Sequence, residues 1–161
     1  WHSVFPYELW VYLSRRLYIH PGFQPIIKHY GFIGNSVRQI NFLIENSKEL
    51  DHKVYYITDA PIDNFLWMNG FSKALANSNV LRIPKPIWRI LAKTGDLLNF
   101  LYLRFPMNSE RYFRLTVNEV LPYERTLKLM NNPIFSLEDG IKISVKWFEE
   151  YLTKIKKQKK N

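Results

Sequence analysis

The side chains able to do chemistry are few here, and their spacing excludes more than it supports. The sequence has no cysteine and only four histidines, His2, His20, His29 and His52. Without a thiol there is no thiolate nucleophile and no disulfide, and no two histidines stand four residues apart as a helical zinc site needs, so no metal site is expected. The six glycines, at 22, 31, 34, 70, 95 and 140, build neither G-x-G-x-x-G nor G-x-x-G-x-x-G, and there is no Walker lysine and no G-x-S-x-G elbow. None of the ten tyrosines has a lysine four residues on: Tyr7 leads to Val11, Tyr12 to Arg16 and Tyr18 to Gly22. No catalytic residue is assigned, and residue chemistry alone describes a binding portion.

Charge narrows what could be bound. Lys and Arg number 23 against 14 Asp and Glu, a net charge of +9. Five of the lysines (Lys154, Lys156, Lys157, Lys159, Lys160) crowd the last eight residues, and without them the balance falls to +4. Such a run is expected to be a frayed, solvated helix end. The remaining excess suits a domain that binds a phosphate-bearing small molecule. No nucleic-acid partner is expected, since the lysine run reads as a solvated helix end, and no membrane partner, because nothing reads as a signal peptide and the longest apolar run, Leu97 to Leu103, is interrupted by Asn99. At 161 residues, 47% apolar and 23% charged, the chain has the composition of one globular unit or part of a larger one. Absence of cysteine fits a reducing, cytoplasmic setting. The sequence opens on Trp1 rather than Met, so it is expected to start partway through something longer.

The elements that must position any site read as alternating helices and short strands, an α/β pattern without repeats or flexible linkers. Leu9, Leu13 and Leu17 recur at four-residue steps and predict a helix over Pro6 to Leu17. A short strand and loop are expected between Gln24 and Asn35, then a helix from a Ser36 N-cap to about Ser47. Val54-Tyr55-Tyr56-Ile57, β-branched and aromatic without alternation, reads as a buried strand of a parallel sheet, and Ile62, Phe65, Leu66 and Phe71 as the helix after it. Val80 to Ile83 is a second strand, and Ile87 to about Phe105 a long apolar helix. Ser109 to Val120 is ambiguous, with Arg111 and Arg114 three residues apart on or near one helical face. Ser136 to Asp139 fits a capping box that opens a helix with its stripe at Ile141, Val145, Phe148, Leu152 and Ile155. Trp88, Trp147 and Phe148 are expected core anchors.

The order of these landmarks resembles the C-terminal half of the NAD(P)-dependent sugar-nucleotide epimerase/dehydratase family, the extended short-chain dehydrogenases. Lys28-His29-Tyr30-Gly31-Phe32-Ile33-Gly34-Asn35-Ser36-Val37 is similar to the family's R-D-(Y/F)-(I/G)-(H/F)-V-x-D-(V/N) motif, with Lys28 in the arginine's place and Asn35 in the aspartate's. Val54 to Asp63 resembles its strand and turn, and Ile83-Pro84-Lys85-Pro86-Ile87 its proline turn into a helix. Pro133-Ile134-Phe135-Ser136-Leu137-Glu138-Asp139-Gly140-Ile141, with Trp147-Phe148, resembles the family's end, the most specific of the four landmarks. Thr126-Leu127-Lys128-Leu129-Met130-Asn131 stands where the family has K-A-x-x-x-L-G-Y, an eroded match.

The resemblance implies a fold: the last parallel strands of a Rossmann-type sheet, with residues 36–60 giving it helix and strand, 61–153 a mainly helical substrate subdomain, and 154–161 a basic tail, all within one unit. It implies that NAD or NADP is bound mainly by an upstream Rossmann half that also carries the catalytic Tyr-Lys pair, with Trp1, His2 and Ser3 touching the cofactor. Lys28, Arg111 and Arg114 would grip the pyrophosphate of a nucleotide sugar, Asn35 would orient the helix or the substrate, and Tyr30 would line a base pocket. The chain alone is expected to be inactive and its parent to be an epimerase or dehydratase, with a homodimer among the partners the resemblance allows. The alternatives are a basic nucleic-acid-binding module built on the lysine tail, and a non-catalytic cofactor-binding regulator.

Overall fold

A computed structural model of the chain describes residues 4–48, 50–51, 54–103, 105, 107–129 and 133–158. The helices are α1 (Val4–Ser14), α2 (Ile33–Glu45), α3 (Asn64–Ala76), α4 (Lys85–Phe100), α5 (Ser109–Thr116), α6 (Glu124–Leu129) and α7 (Leu137–Gln158). The strands are β1 (Ile19–Pro21), β2 (Ile27–Lys28), β3 (Ile62–Asp63) and β4 (Leu81–Ile83). The fold is α/β but mostly helical, and its core lies between helices.

The helix α3 sits between α1 and α7, and Leu9, Leu13, Met68, Phe71, Val80, Ile141 and Val145 form the main apolar cluster. Aromatic rings seal it: Trp10 stacks on Phe71 at 5.5 Å and meets Phe148 edge-on at 5.4 Å. Burial of the 141/145/148 stripe follows from its helical spacing, and the capping box forms as its residues predict. The Ser136 N–H donates to Asp139 Oδ2 at 3.2 Å while the Asp139 N–H donates to Ser136 Oγ at 3.2 Å. Trp147 departs from the expectation: it is 56% exposed and stacks on Tyr151 at 5.3 Å, because positions 147 and 151 fall on the flank of the buried stripe.

The strands make two small ribbons. The first is parallel, β1 beside β4, with His20 opposite Arg82. The second is antiparallel, β2 beside β3, with Lys28 opposite Ile62. On the other side of β2, Ile27 N–H donates to Asn118 Oδ1 at 2.9 Å and its carbonyl accepts from Glu119 N–H at 2.9 Å. Asp63 joins this ribbon to α3, capping the Phe65 N–H at 3.0 Å and reaching the Ile26 N–H at 3.2 Å.

Four expectations about elements change. The first helix ends at Ser14 and not Leu17: Arg16 takes the left-handed conformation (φ 59°), and Leu17 is 58% exposed, off the buried stripe. Val54 to Ile57 is not a strand: it belongs to neither ribbon, and Val54 is 73% exposed. Strand propensity reports fitness for a pleated surface and cannot supply the neighbour that a ladder needs. The parallel pair forms instead at β1, where His20 and the punctuating Pro21-Gly22 had masked a strand. The helix α2 begins at Ile33 with Phe32 as its cap, so Ser36 lies inside its first turn and caps nothing. Finally α4 stops at Phe100, not Phe105: Tyr102 takes the left-handed conformation (φ 60°), and Leu103 N–H returns to the Leu98 carbonyl at 2.9 Å.

Candidate functional site

The two residues singled out on the β2–α2 connection, Lys28 and Asn35, are both buried and both occupied. Lys28 Nζ lies 3.0 Å from Glu119 Oε1 and donates to the Arg114 carbonyl at 2.9 Å. The ammonium is therefore neutralised within the protein, and a phosphate would have to displace an exposed glutamate to reach it. Asn35 uses both ends of its amide on one peptide group, Nδ2 donating to the Phe135 carbonyl (3.0 Å) and Oδ1 accepting from the Phe135 N–H (3.1 Å). It ties α2 to the start of α7, the orienting half of its two expected roles.

The other residues lie around this point. Tyr30 donates to Asn64 Oδ1 at 2.6 Å and stacks on Trp67 at 4.2 Å, and burial holds its phenol well above the usual range. The Arg114 guanidinium pairs with Glu110 at 2.7 Å, one helical turn back, while the Arg114 carbonyl serves Lys28. Arg111 is exposed, and its N–H is capped by Asn108 Oδ1 at 2.8 Å. The structure thus brings Lys28 to the C-terminal end of α5 through backbone rather than as a clamp of cations. Trp1, His2 and Ser3 lie outside the described residues.

Behind Lys28 the network is polar and tightly packed. His29 Nδ1 is 3.2 Å from the Asp59 carbonyl, and Gln39 holds both backbone groups of Thr58, donating to its carbonyl at 2.9 Å and accepting its N–H at 3.0 Å. In this way a side chain of α2 does for Thr58 what a neighbouring strand would do. Asp59 Oδ2 accepts the Phe32 N–H at 2.8 Å; burial raises its pKa, and the Phe32 and Asn35 donors pull the other way. His20 is fully enclosed, with Tyr18 Oη 3.3 Å from Nδ1 and Phe65 edge-on at 5.4 Å. Desolvation, then Arg82, lower its pKa to about 4, so it is a neutral core imidazole at pH 7.

An open groove of about 520 Å³ runs between the extended segment 54–57 and α6, lined by Val54, Tyr56, Pro122, Glu124, Arg125 and Lys128. The Arg125 guanidinium lies 6.0 Å from the ring centre of Tyr55. Two cations beside exposed aromatic surface can hold a phosphate and a flat base together. Among the described residues, no group of three or more His, Asp and Glu side chains could hold a metal ion, and no helix is long and apolar enough to cross a membrane.

Comparison with models of known families, with curated proteins and with solved structures finds no match. The likeness to the epimerase/dehydratase family therefore rests on the motifs quoted above. Lys128 was missed by sequence reasoning because it falls in the eroded K-A-x-x-x-L-G-Y element, and Arg125 because it stands just ahead of that element, outside every motif. Glu119 was missed for a different reason: nothing in its neighbourhood signals that it faces a lysine 91 residues away.

Proposed function

We propose that this chain is the substrate-binding portion of an NAD(P)-dependent nucleotide-sugar epimerase or dehydratase, orienting a sugar nucleotide for hydride transfer by a catalytic Tyr-Lys pair outside these residues. The observation that carries the reading is the unpaired segment 54–57 held alongside α2. Gln39 fixes Thr58, Val54 and Tyr56 are exposed, and α2 leaves Ile33, Val37, Ile40 and Ile44 uncovered. An extended segment and a helix so placed leave exposed backbone and one apolar face, surfaces that a neighbouring part of a larger protein would cover.

The residues present do not fit the dinucleotide itself. Both helices that follow β2 and β3 have a carboxylate at their N-terminal end, Asp59 on the N–H of the cap residue Phe32 and Asp63 on the N–H of Phe65, where a pyrophosphate would need bare donors and glycine. Cofactor binding belongs mainly to residues outside this chain, and the work proposed here is binding and orientation. Arg125 and Lys128 would take the diphosphate and Tyr56 the base, remote contacts whose binding energy holds the reacting carbon in place.

Titration of the chain with uridine or thymidine diphosphate, followed by amide chemical shifts, tests this. Salt-sensitive shifts confined to 54–58 and 122–128, lost in Arg125→Ser/Lys128→Ser, are expected. No shifts at millimolar ligand, or shifts unchanged in that variant, would remove the groove from the proposal.

A further inference from the structure

Helix α4 has two apolar faces, and the fold uses one. Trp88, Ala92 and Gly95 are buried against the body. Ile87, Ile90, Leu91, Leu97 and Leu101 are all exposed, and at 3.6 residues per turn they fall within about a third of the helix circumference, away from that buried side. The face runs out into a protruding tip, Phe100-Leu101-Tyr102-Leu103, where Phe100 is 79% and Tyr102 97% exposed. Tyr102 holds its place at φ 60°, which is strained for any residue with a Cβ and free for glycine. The chain spends backbone strain at a position whose ring touches little of the protein.

The charge around this face is one-sided. The described residues between 85 and 116 include five Lys and Arg (Lys85, Arg89, Lys93, Arg111 and Arg114) against two Asp and Glu. Both acids are engaged, Asp96 with the Ser109 N–H (3.0 Å) and hydroxyl, and Glu110 with Arg114. Lys85, Arg89 and Lys93 recur at four-residue steps, forming a basic strip between the buried and exposed apolar faces, with Arg89 Nε donating to Tyr112 Oη of α5 at 3.3 Å while the Arg89 side chain stays exposed. An apolar stripe with aromatic and leucine side chains, bordered by cations on a 16-residue helix that is not long and apolar enough to span, has the chemistry of an element that lies in a lipid–water interface.

We propose that the exposed face of α4 and its tip dock on an anionic bilayer surface, with Leu97, Phe100, Leu101 and Tyr102 entering the headgroup region and Arg89 and Lys93 meeting lipid phosphates. Anionic lipid complements the charge, whereas a second copy would set two lobes of the same positive sign against each other. The proposal stands apart from the nucleotide-sugar reading and uses none of its groove residues.

The test is co-sedimentation of the 161-residue chain with phosphatidylcholine vesicles, with and without phosphatidylglycerol. Binding is expected with phosphatidylglycerol, weakening as salt rises from about 0.1 M to about 1 M. Phe100→Ser/Tyr102→Ser should lower the partition coefficient roughly tenfold or more, the scale of losing two interfacial aromatic side chains. Arg89→Gln/Lys93→Gln should remove the preference for anionic lipid. Tyr102→Gly keeps the reading separable from unfolding, because it relieves the left-handed strain: it should bind vesicles less while melting no lower. Failure to bind anionic vesicles, or equal binding by Phe100→Ser/Tyr102→Ser, would overturn the proposal. So would a dimer in light scattering that this same variant dissolves, which would assign the face to a second copy.

Discussion

Replacing Lys28 should cost stability before it costs anything else. Its side chain is 9% exposed, and its ammonium bonds the Arg114 carbonyl at 2.9 Å and Glu119 at 3.0 Å, so Lys28 joins β2 to the end of α5. Glu119 is 61% exposed, which puts the ion pair itself at about 0.2–1 kcal/mol. The hydrogen bond to the carbonyl, made by a charged donor, contributes about 1.5–3 kcal/mol. Lys28→Met keeps the packed stem and loses the ammonium, so a loss of about 2–3 kcal/mol is expected. Lys28→Ala also removes three methylenes at about 0.8 kcal/mol each, and should cost about 4–5 kcal/mol. Urea unfolding of both variants, with Glu119→Gln to isolate the pair, checks the partition. Glu119→Gln should lose under 1 kcal/mol and, if the freed ammonium contacts phosphate, should tighten uridine diphosphate binding. Lys28→Ala within about 0.5 kcal/mol of the parent chain, the range of ordinary surface changes, would refute the argument.

Three further outcomes follow from the packing. His20, neutral in the fold with its pKa lowered to about 4, binds its proton more weakly folded than unfolded, so its contribution is complete above about 6.5 and lost as pH falls toward 4. Acid should therefore remove up to about 3 kcal/mol through this group, and His20→Gln should flatten the melting temperature between those pH values. Gly95→Ala, which in an exposed helix would help by about 1 kcal/mol, should instead destabilise by about 1–3 kcal/mol, since its Cβ would fall on the Met107 carbonyl; thermal melting reads the sign. Ser136→Ala should lose about 1 kcal/mol by breaking the reciprocal cap of α7, and Asp139→Ala a similar amount, with the double variant losing less than the sum in a urea cycle.

Local signals in the sequence survived folding and long-range ones did not. The capping box at 136–139 and the 141/145/148 stripe depend on neighbours three or four residues away, and both are present as read. The helix Asn64–Ala76 and the strand ending at Ile83 were also legible, from apolar spacing and proline punctuation. The 54–57 segment failed because a strand is a property of two chain segments. At the candidate site, Lys28 was read on a short strand, where it lies, and Asn35 just ahead of a helix that in fact begins at Ile33; their partners, Glu119 with the Arg114 carbonyl and the Phe135 backbone, lie 86 to 100 residues away. Distance in sequence hid those partners, and with them the fact that both side chains are already committed.

The placement of α3 between α1 and α7 dictates an order of assembly on the ribosome. Phe71 and Met68 are sealed in part by Ile141 and Val145, and Trp10 by Phe148, so the first helix and the central one cannot complete their packing until the last has been synthesised. At about 5–20 residues per second, the roughly 60 residues between α3 and α7 take several seconds to emerge, during which those rings stay open to water. A nascent chain of this kind leaves aromatic surface uncovered until its last helix arrives. Its refolding in dilution should show a fast helical phase and a slower one limited by contacts across more than a hundred residues.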